Sequence, residues 1–252
     1  MAPPTRQILG VDIALTDYEG ELAAIDELIA TGGRGYFCHA AVGSVMNARR
    51  DPAVRAALSD ATMTVPDGKP IVWALRSLGE EISERVYGPD LMLKACERSL
   101  QTGASHFLYG GRDEAATRAL EESLGERFPG LQIAGSWTPP FRELTEEDRR
   151  EVAERIDRSG ADIVWVGIGS PRQELWMQRM RPQLRAPVLV GVGAAFDFHA
   201  GLVSQAPKWM GDRGLEWLYR LSREPRRLAP RYLRDNPAFV AAFARQWARE
   251  RR

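Results

Sequence analysis

The sequence predicts an α/β fold: a mostly parallel sheet flanked by helices, with a C-terminal helical appendage. Over the first 205 residues, short apolar runs alternate with amphipathic stretches, as in a parallel sheet covered by crossover helices. After Gly201 the apolar runs stop and only helical periodicity remains. We therefore expect a Rossmann-like domain over residues 1–205 and a separate helical appendage over residues 206–252.

The predicted strands are short apolar segments bounded by turn residues. In chain order they are Ile8–Ala14, Tyr36–Ala40, Thr62–Val65, His106–Tyr109, Gln132–Ser136, Ile163–Gly167 and Val188–Val192. The predicted helices between them are Tyr18–Ala30, Val45–Leu58, Pro70–Arg76, Pro89–Gln101, Glu114–Phe128, Glu146–Arg158 and Gln173–Met180. In the appendage, prolines are expected to separate three helices, Trp209–Leu221, Pro225–Leu233 and Asn236–Arg251.

Several helix ends have local signals. Gly32 and Gly33 can end the first helix because glycine adopts left-handed conformations without steric cost. Thr145 is a good N-cap for the helix that begins at Glu146, and Gly160 can end that helix. Asp148 has a shorter side chain than the usual Glu or Gln, so we expect an acidic first turn rather than a complete capping box.

Composition excludes several classes of protein. With 252 residues, 44% hydrophobic residues and a formal net charge of zero, the chain can bury a sizeable core and is not a globally basic nucleic-acid binder. Cys38 and Cys96 give no disulfide framework, and with His39, His106 and His199 they form no metal-ligand motif. We expect a protein of the reducing cytoplasm with no metal, no cofactor and no nucleic-acid partner.

The N-terminal and C-terminal regions differ in character. The first residues lack the basic and apolar regions of a secretory signal, and no apolar window is long enough to span a bilayer. From Pro207 to Arg252, however, twelve Lys/Arg stand against five Asp/Glu, together with Trp209, Trp217 and Trp247. This excess of positive charge predicts an anionic partner, while a solvated helical face packed onto the core by its tryptophans is the alternative.

Candidate functional residues follow two of the predicted strands. Asp67 and Gly68 come directly after Thr62–Val65, at the carboxyl edge where open α/β sheets collect catalytic groups. Asp67 is thus a candidate catalytic carboxylate or, alternatively, a cap of the next helix. Gly110 and Gly111 follow the His106 strand and could admit a phosphate to backbone N–H groups, or could simply form a tight turn.

Small residues also end the last two predicted strands. After Gly167, the helix that opens at Pro171 carries Arg172, which could neutralise phosphate, and Gln173, which could hydrogen-bond sugar hydroxyls. Asp197 follows the strand ending at Val192 and is placed like a nucleoside-binding carboxylate. Several such junctions in one sheet favour a nucleotide site over a set of structural turns.

Arg85 and Asp90 lie in the segment that joins two predicted helices. Arg85 could clamp a pyrophosphate, or could form a surface ion pair with a nearby glutamate. For Asp90 the favoured interpretation is structural, in the first turn of the following helix.

Together these segments resemble the WecG/TagA/CpsF family of bacterial glycosyltransferases, in order from about Ile8 to Phe239. The segments that carry the resemblance are Val65–Gly68, Glu84–Leu91, Phe107–Gly111, Pro139–Phe141, Gly167–Glu174, Gly191–Asp197, Gly214–Leu221 and Glu224–Leu228. The resemblance implies inverting, metal-independent transfer of a sugar from a UDP-sugar to an undecaprenyl-diphosphate-linked acceptor in cell-surface polysaccharide synthesis. The sugar could be of the N-acetylmannosamine, uronate or hexose type.

The resemblance also implies roles for individual residues. Asp67 would be the catalytic base, Arg85 would stabilise the diphosphate leaving group, and Gln173 would orient donor or acceptor. The expected nucleotide contacts are Gly110, Gly111, Phe141 and Asp197, and the expected phosphate or lipid-headgroup contacts are Arg220, Arg227 and Arg231. The appendage would dock on the inner face of the cell membrane, so the enzyme would be cytoplasmic and peripheral, with an anionic membrane surface as a further partner. The oligomeric state stays open, with a homo-oligomer among the options.

The chain departs from the family pattern after its second predicted strand. Ala41 stands where an asparagine is expected, and its methyl group cannot hydrogen-bond a sugar. His39 could compensate as a substrate-binding residue, although a lone histidine is often structural. The departure leaves a catalytically impaired homologue, acting as a membrane-surface binding protein, as the alternative function. A Rossmann-type dehydrogenase is a second rival, disfavoured by the incomplete glycine motif.

Overall fold

Residues 3–251 are described here from a computed structural model. Strands are β1 (Thr5–Ile8), β2 (Val11–Ala14), β3 (Gly35–Ala40), β4 (Met63–Pro66), β5 (His106–Gly110), β6 (Ile133–Trp137), β7 (Ile163–Gly167) and β8 (Val188–Gly191). The first helices are α1 (Tyr18–Thr31), α2 (Val42–Arg50), α3 (Pro52–Ser59), α4 (Lys69–Ser77), α5 (Gly88–Thr102), α6 (Glu114–Arg127), α7 (Glu146–Ser159) and α8 (Arg172–Met180). The last helices are α9 (Ala195–His199), α10 (Lys208–Asp212), α11 (Glu216–Arg223) and α12 (Pro225–Glu250).

The main sheet confirms the predicted α/β class. Its six strands have the order β4-β3-β8-β7-β5-β6, and the pairs β3–β8, β8–β7, β7–β5 and β5–β6 are parallel. The strands β3, β5 and β8 are buried along their whole length, which explains why they are continuous apolar runs rather than alternating ones. In register, Gly110 lies opposite Gly167 where β5 and β7 end, and Gly191, the last residue of β8, lies opposite Cys38 of β3.

The chain forms two compact units, and each is described by itself. Residues 18–38 and 88–204 form one of them, here called the strand-rich unit. It contains β5 to β8 with α1 and α5 to α9, and its largest fully buried side chains include Trp165, Tyr109 and Leu108. Burial of such side chains contributes about 1.5–3 kcal/mol each and fixes where the strand ends lie.

Of the described residues, 3–17, 39–87 and 205–251 form the second unit, here called the tail-containing unit. It contains the hairpin β1–β2, α2 to α4, β4 and α10 to α12. The contacts thus group the C-terminal residues with two earlier segments of the chain. A functional division at residue 205 stays a prediction.

The hairpin β1–β2 replaces the single strand that was predicted over Ile8–Ala14. Leu9 and Gly10 both have positive φ, 54° and 86°, and form a two-residue turn between the antiparallel strands. Such turns suit the twist of a hairpin, but leucine gives no sequence signal for one. Gln246 compensates by accepting a hydrogen bond from the Leu9 backbone N–H at 2.8 Å.

Helix α12 is continuous where two helices, Pro225–Leu233 and Asn236–Arg251, were expected, and the expected helix Trp209–Leu221 is divided into α10 and α11. Pro230 and Pro237 lie inside α12. Each proline removes one backbone hydrogen bond, but the helix buries Leu228 and Phe239, and packing of this kind outweighs local propensity. Its buried Asp235 also accepts from Arg50 of α2 at 2.8 Å, which ties the helix to the rest of the tail-containing unit.

Two further local expectations were wrong. Thr145 and Asp148 form a complete capping box, because the Asp148 carboxylate reaches the Thr145 backbone N–H at 2.7 Å despite its short side chain. The predicted helix Val45–Leu58 is two helices, since Asp51 caps a new helix that starts at Pro52. Among residues 3–251, no helix is long and apolar enough to cross a membrane.

Candidate functional site

Asp67 lies directly after β4 in the tail-containing unit. Its backbone N–H donates to Ala40 at 3.0 Å, and Gly68, the next residue, is the N-cap of helix α4. The Asp67 atom Oδ1 is buried and has no hydrogen-bond partner among the described residues. Burial raises the pKa of this carboxyl, and the positive charges of Arg85 and His39 offset only part of that rise. A carboxyl with a raised pKa and one buried oxygen that has no partner is a strong candidate for a group that accepts a proton.

Arg85 is held next to Asp67 by the backbone. The N–H of Val86 donates to Pro66 at 2.8 Å, so the segment that carries Arg85 lies against the end of β4. The guanidinium stacks 4.1 Å above the Tyr87 ring and pairs with Glu216 at 2.7 Å. Burial alone would lower the pKa of Arg85, but the charges of Glu216 and Asp67 outweigh it and raise that pKa, so the group stays charged.

The ion pair of Arg85 is not the surface pair that the sequence left open. Its partner is distant in sequence, and the two side chains are only 15% and 14% exposed. Charge pairs at such depth are screened less by solvent than surface pairs, so this contact holds α11 beside Asp67.

His39 and Arg220 complete the cluster around Asp67. His39 is buried in β3, and Arg220 lies in α11, one turn after Glu216. Both carry charge that lowers the pKa of Asp67, whereas Glu216 raises it. Asp67, Arg85, His39 and Arg220 were all chosen from the sequence. Glu216 was not, and its only signal was its place in the segment Gly214–Leu221 that resembles the family.

Gln173 belongs to the strand-rich unit, in the first turn of α8. Its side chain lies against the end of β8, where a Cβ on Gly191 would sit only 3.1 Å from Nε2 of Gln173. Gly191 therefore makes room for the amide, which no larger residue could do without displacing it. The amide oxygen of Gln173 is buried and has no hydrogen-bond partner within residues 3–251.

Gly110 and Gly111 are required by close packing. A Cβ on Gly110 would lie 2.6 Å from the carbonyl oxygen of Gly167, and one on Gly111 would lie 2.3 Å from Oγ1 of Thr117. Both also have positive φ, 148° and 86°. The Gly111 N–H already donates to Gly167 at 3.3 Å, so this group is satisfied by the protein itself.

Asp197 pairs with a residue that sequence reasoning missed. Arg112, which follows Gly111, bonds its carboxylate at 3.0 Å. Arg172 is exposed at the start of α8, close enough to Tyr109 for its charge to oppose the rise that burial causes in the tyrosine pKa. Phe141 is 97% exposed in the loop after β6, and no described contact holds its ring in a site.

An aromatic stack that the sequence did not predict lies at the end of β5. Tyr109 stacks on Trp176 with 3.9 Å between ring centroids and on Trp137 with 5.6 Å. Its hydroxyl is buried and finds no hydrogen-bond partner in the described part of the chain. The stack fixes the end of β5 and the helix that carries Gln173.

The other two arginines chosen in the appendage lie outside the Asp67 cluster. Arg227 donates to Glu224 at 2.6 Å, and Arg231 lies 5.3 Å from the ring of Tyr232. Of the three tryptophans that the sequence pointed to, Trp247 donates to Ser77 at 3.1 Å, while Trp209 and Trp217 are exposed. Across residues 3–251, no group of three or more His, Cys, Asp or Glu side chains is arranged to hold a metal ion.

Comparison with known proteins identifies the family to which the chain belongs. The model of the glycosyl transferase WecG/TagA/CpsF family matches residues 6–252. An enzyme of Bacillus spizizenii, the N-acetylglucosaminyldiphosphoundecaprenol N-acetyl-beta-D-mannosaminyltransferase, is 30% identical over 240 residues, which is 95% of this chain and 89% of that enzyme. The chain therefore belongs to the WecG/TagA/CpsF family and is a glycosyltransferase.

Proposed function

We propose that this enzyme transfers a sugar, with inversion and without a metal ion, from a UDP-sugar to an undecaprenyl-diphosphate-linked acceptor. The observation that carries the proposal is the half-buried Asp67 carboxyl, whose buried Oδ1 has no hydrogen-bond partner among the described residues and which lies beside Arg85, His39 and Arg220. The Bacillus relative acts on a diphosphoundecaprenol-linked sugar and transfers N-acetylmannosamine, which makes that sugar the first donor to test. Such a product is an intermediate of cell-surface polysaccharide synthesis.

In the proposed reaction, Asp67 accepts the proton of the acceptor hydroxyl. The hydroxyl oxygen forms a bond to the anomeric carbon from the face opposite the nucleotide. The bond between that carbon and the diphosphate breaks, and its electron pair leaves with UDP. A general base contributes about 10²- to 10⁴-fold to such a step, and its efficiency improves as its pKa approaches the working pH. The raised pKa of Asp67 suits this role.

Arg85 and Arg220 supply the positive charge that the departing diphosphate requires. Both are guanidinium groups, which bind phosphate oxygens with directed N–H bonds and stay charged at all physiological pH values. The buried setting of Arg85 strengthens any such contact, because less water competes for it. Gln173, whose amide oxygen lacks a partner, would orient donor or acceptor through a sugar hydroxyl.

The remaining proposed contacts concern the nucleotide and the lipid. Gly110, Gly111, Phe141, Arg172 and Asp197 would contact the nucleotide. Asp197 would then exchange Arg112 for a ribose hydroxyl. Arg227 and Arg231 would bind phosphate or lipid headgroups.

We also propose that residues 206–252 dock the enzyme on the inner face of the cell membrane. The support is an exposed group of apolar side chains in the basic appendage, formed by Trp209, Trp217 and Leu218. Arg213 lies 5.7 Å from the Trp209 ring, so positive charge accompanies the aromatic surface. Tryptophan and arginine at an anionic interface each add modest affinity, and a lipid-linked acceptor would be presented there.

One observation favours the alternative of a catalytically impaired binding protein. Ala41 is the N-cap of α2, and its side chain makes no hydrogen bond. A transfer assay across UDP-sugars with a short-chain lipid-diphosphate acceptor separates the two functions. Transfer that persists in excess EDTA supports the enzymatic proposal, whereas vesicle binding without any transfer supports the alternative.

A further inference from the structure

Glu216 forms an ion pair with the guanidinium of Arg85, the group that the proposed reaction needs for the departing diphosphate. It is the first residue of α11, and its Oε2 lies 2.7 Å from Nη1 of Arg85. The backbone of the preceding helix also approaches, since Nη2 of Arg85 lies 3.4 Å from where a Cβ on Gly211 would sit. The segment α10–α11 therefore encloses Arg85 and holds it through one carboxylate.

The cluster contains charges of both signs. Two carboxylates, Asp67 and Glu216, face two guanidiniums, Arg85 and Arg220, with His39 beside them. A diphosphate brought to Arg85 would add negative charge next to both carboxylates. Like charges at low solvent exposure repel strongly. The diphosphate and the Glu216 carboxylate therefore compete for the contact with Nη1 of Arg85.

We propose that Glu216 is a latch: a positioning residue that orients Arg85 through its carboxylate and is exchanged for a phosphate oxygen when the donor binds. This inference rests on the proposed function of Arg85. The latch holds the guanidinium over the Tyr87 ring in a defined orientation. Glu216 also competes with the donor for Arg85, since donor binding must break the contact between Glu216 and Arg85.

The variant Glu216→Gln tests the latch, because it keeps the size of the side chain and removes the competing charge. UDP binding to the full-length protein, measured by calorimetry, should become about fivefold tighter or more, because an exposed ion pair already accounts for up to about fivefold and this competing pair is less exposed. The control is Glu151→Gln in α7, whose carboxylate pairs with Arg155 at 2.8 Å on an exposed surface and to which no substrate-binding role is assigned. The control should leave UDP affinity unchanged.

Two results with the Glu216→Gln variant would overturn the latch. If Glu216 served only to hold α11 in place, its loss would weaken UDP binding and lower the melting temperature, which would overturn the latch. Unchanged UDP affinity in Glu216→Gln would overturn it as well. Failure of the wild-type protein to bind UDP at all would overturn the proposed function together with the latch, so the two failures are distinguishable.

A structure of the wild-type protein with UDP gives a second test that depends on no variant. The latch predicts a phosphate oxygen within hydrogen-bond distance of Nη1 of Arg85 and Glu216 beyond salt-bridge distance. Retention of the 2.7 Å contact with UDP bound would overturn the proposal.

Discussion

Replacement of Asp67 by asparagine separates the function of this side chain from its contribution to stability. The substitution keeps the shape of the group but removes its charge and its ability to accept a proton. Transfer should fall by about 10²- to 10⁴-fold, which corresponds to about 2.7–5.4 kcal/mol in activation free energy. UDP affinity should stay within a few-fold of the wild type, because Arg85 and Arg220 keep their charges.

The same variant should be at least as stable as the wild type at neutral pH. Burial raises the folded-state pKa of Asp67, so ionisation of this group is less favourable in the folded protein than in the unfolded chain. Its stabilising contribution is therefore complete below the unfolded pKa and is lost as the pH rises through the folded pKa. Asparagine does not ionise, so the advantage of the variant should shrink as the pH falls toward 4.

The assay combines initial transfer rates with thermal melting of both proteins from pH 4 to pH 8. Near-normal transfer by the purified variant would remove Asp67 from the role of base. A variant less stable than the wild type at pH 7 would refute the claim that the ionised carboxylate is destabilising in its buried site.

Other substitutions test separate parts of the account. Arg220→Gln removes a charge that lowers the pKa of Asp67, so the acidic limb of the kcat/KM profile should move to higher pH. An acidic limb that stays in place would show that Arg220 does not influence the ionisation of Asp67. Gly191→Ala forces a Cβ against Gln173 and Met177 and should lower both activity and stability, the latter by about 1–3 kcal/mol. The control Gly125→Ala, in an exposed turn of α6 with open space around it, should raise stability by about 0.5–1 kcal/mol. Replacement of Trp209 and Trp217 by serine should reduce flotation with anionic liposomes while transfer to a soluble acceptor analogue persists; unchanged flotation would contradict docking through this surface.

Regular elements were predictable because their signals are local. The strands β5, β7 and β8 are uninterrupted apolar runs, and the helices between them have strong periodicity or good caps, as at Thr145. Elements whose geometry depends on distant partners were mispredicted. The Leu9 backbone N–H in the first turn donates to the distant Gln246, and α12 continues through Pro237 because of packing that a local pattern does not contain.

The same distinction applies to the candidate site. Asp67 and Gln173 could be chosen from the sequence, since each stands at a strand end or a first helical turn where α/β enzymes place functional groups. Glu216 and Arg112 could not, because each becomes significant only through its partner, Arg85 for the first and Asp197 for the second. An ion pair between residues far apart in the chain leaves no signal in a single sequence.

The proposed role of the Asp67 cluster is transfer of a sugar to a lipid-linked acceptor. Its most direct test is transfer of N-acetylmannosamine from the UDP-sugar to a short-chain lipid-diphosphate N-acetylglucosamine, measured with wild-type protein and with Asp67→Asn in excess EDTA. The account predicts a disaccharide product of inverted anomeric configuration from the wild type and a rate lower by about 10²-fold or more from the variant. Equal rates from the two proteins, or transfer that requires added Mg²⁺ or Mn²⁺, would contradict it.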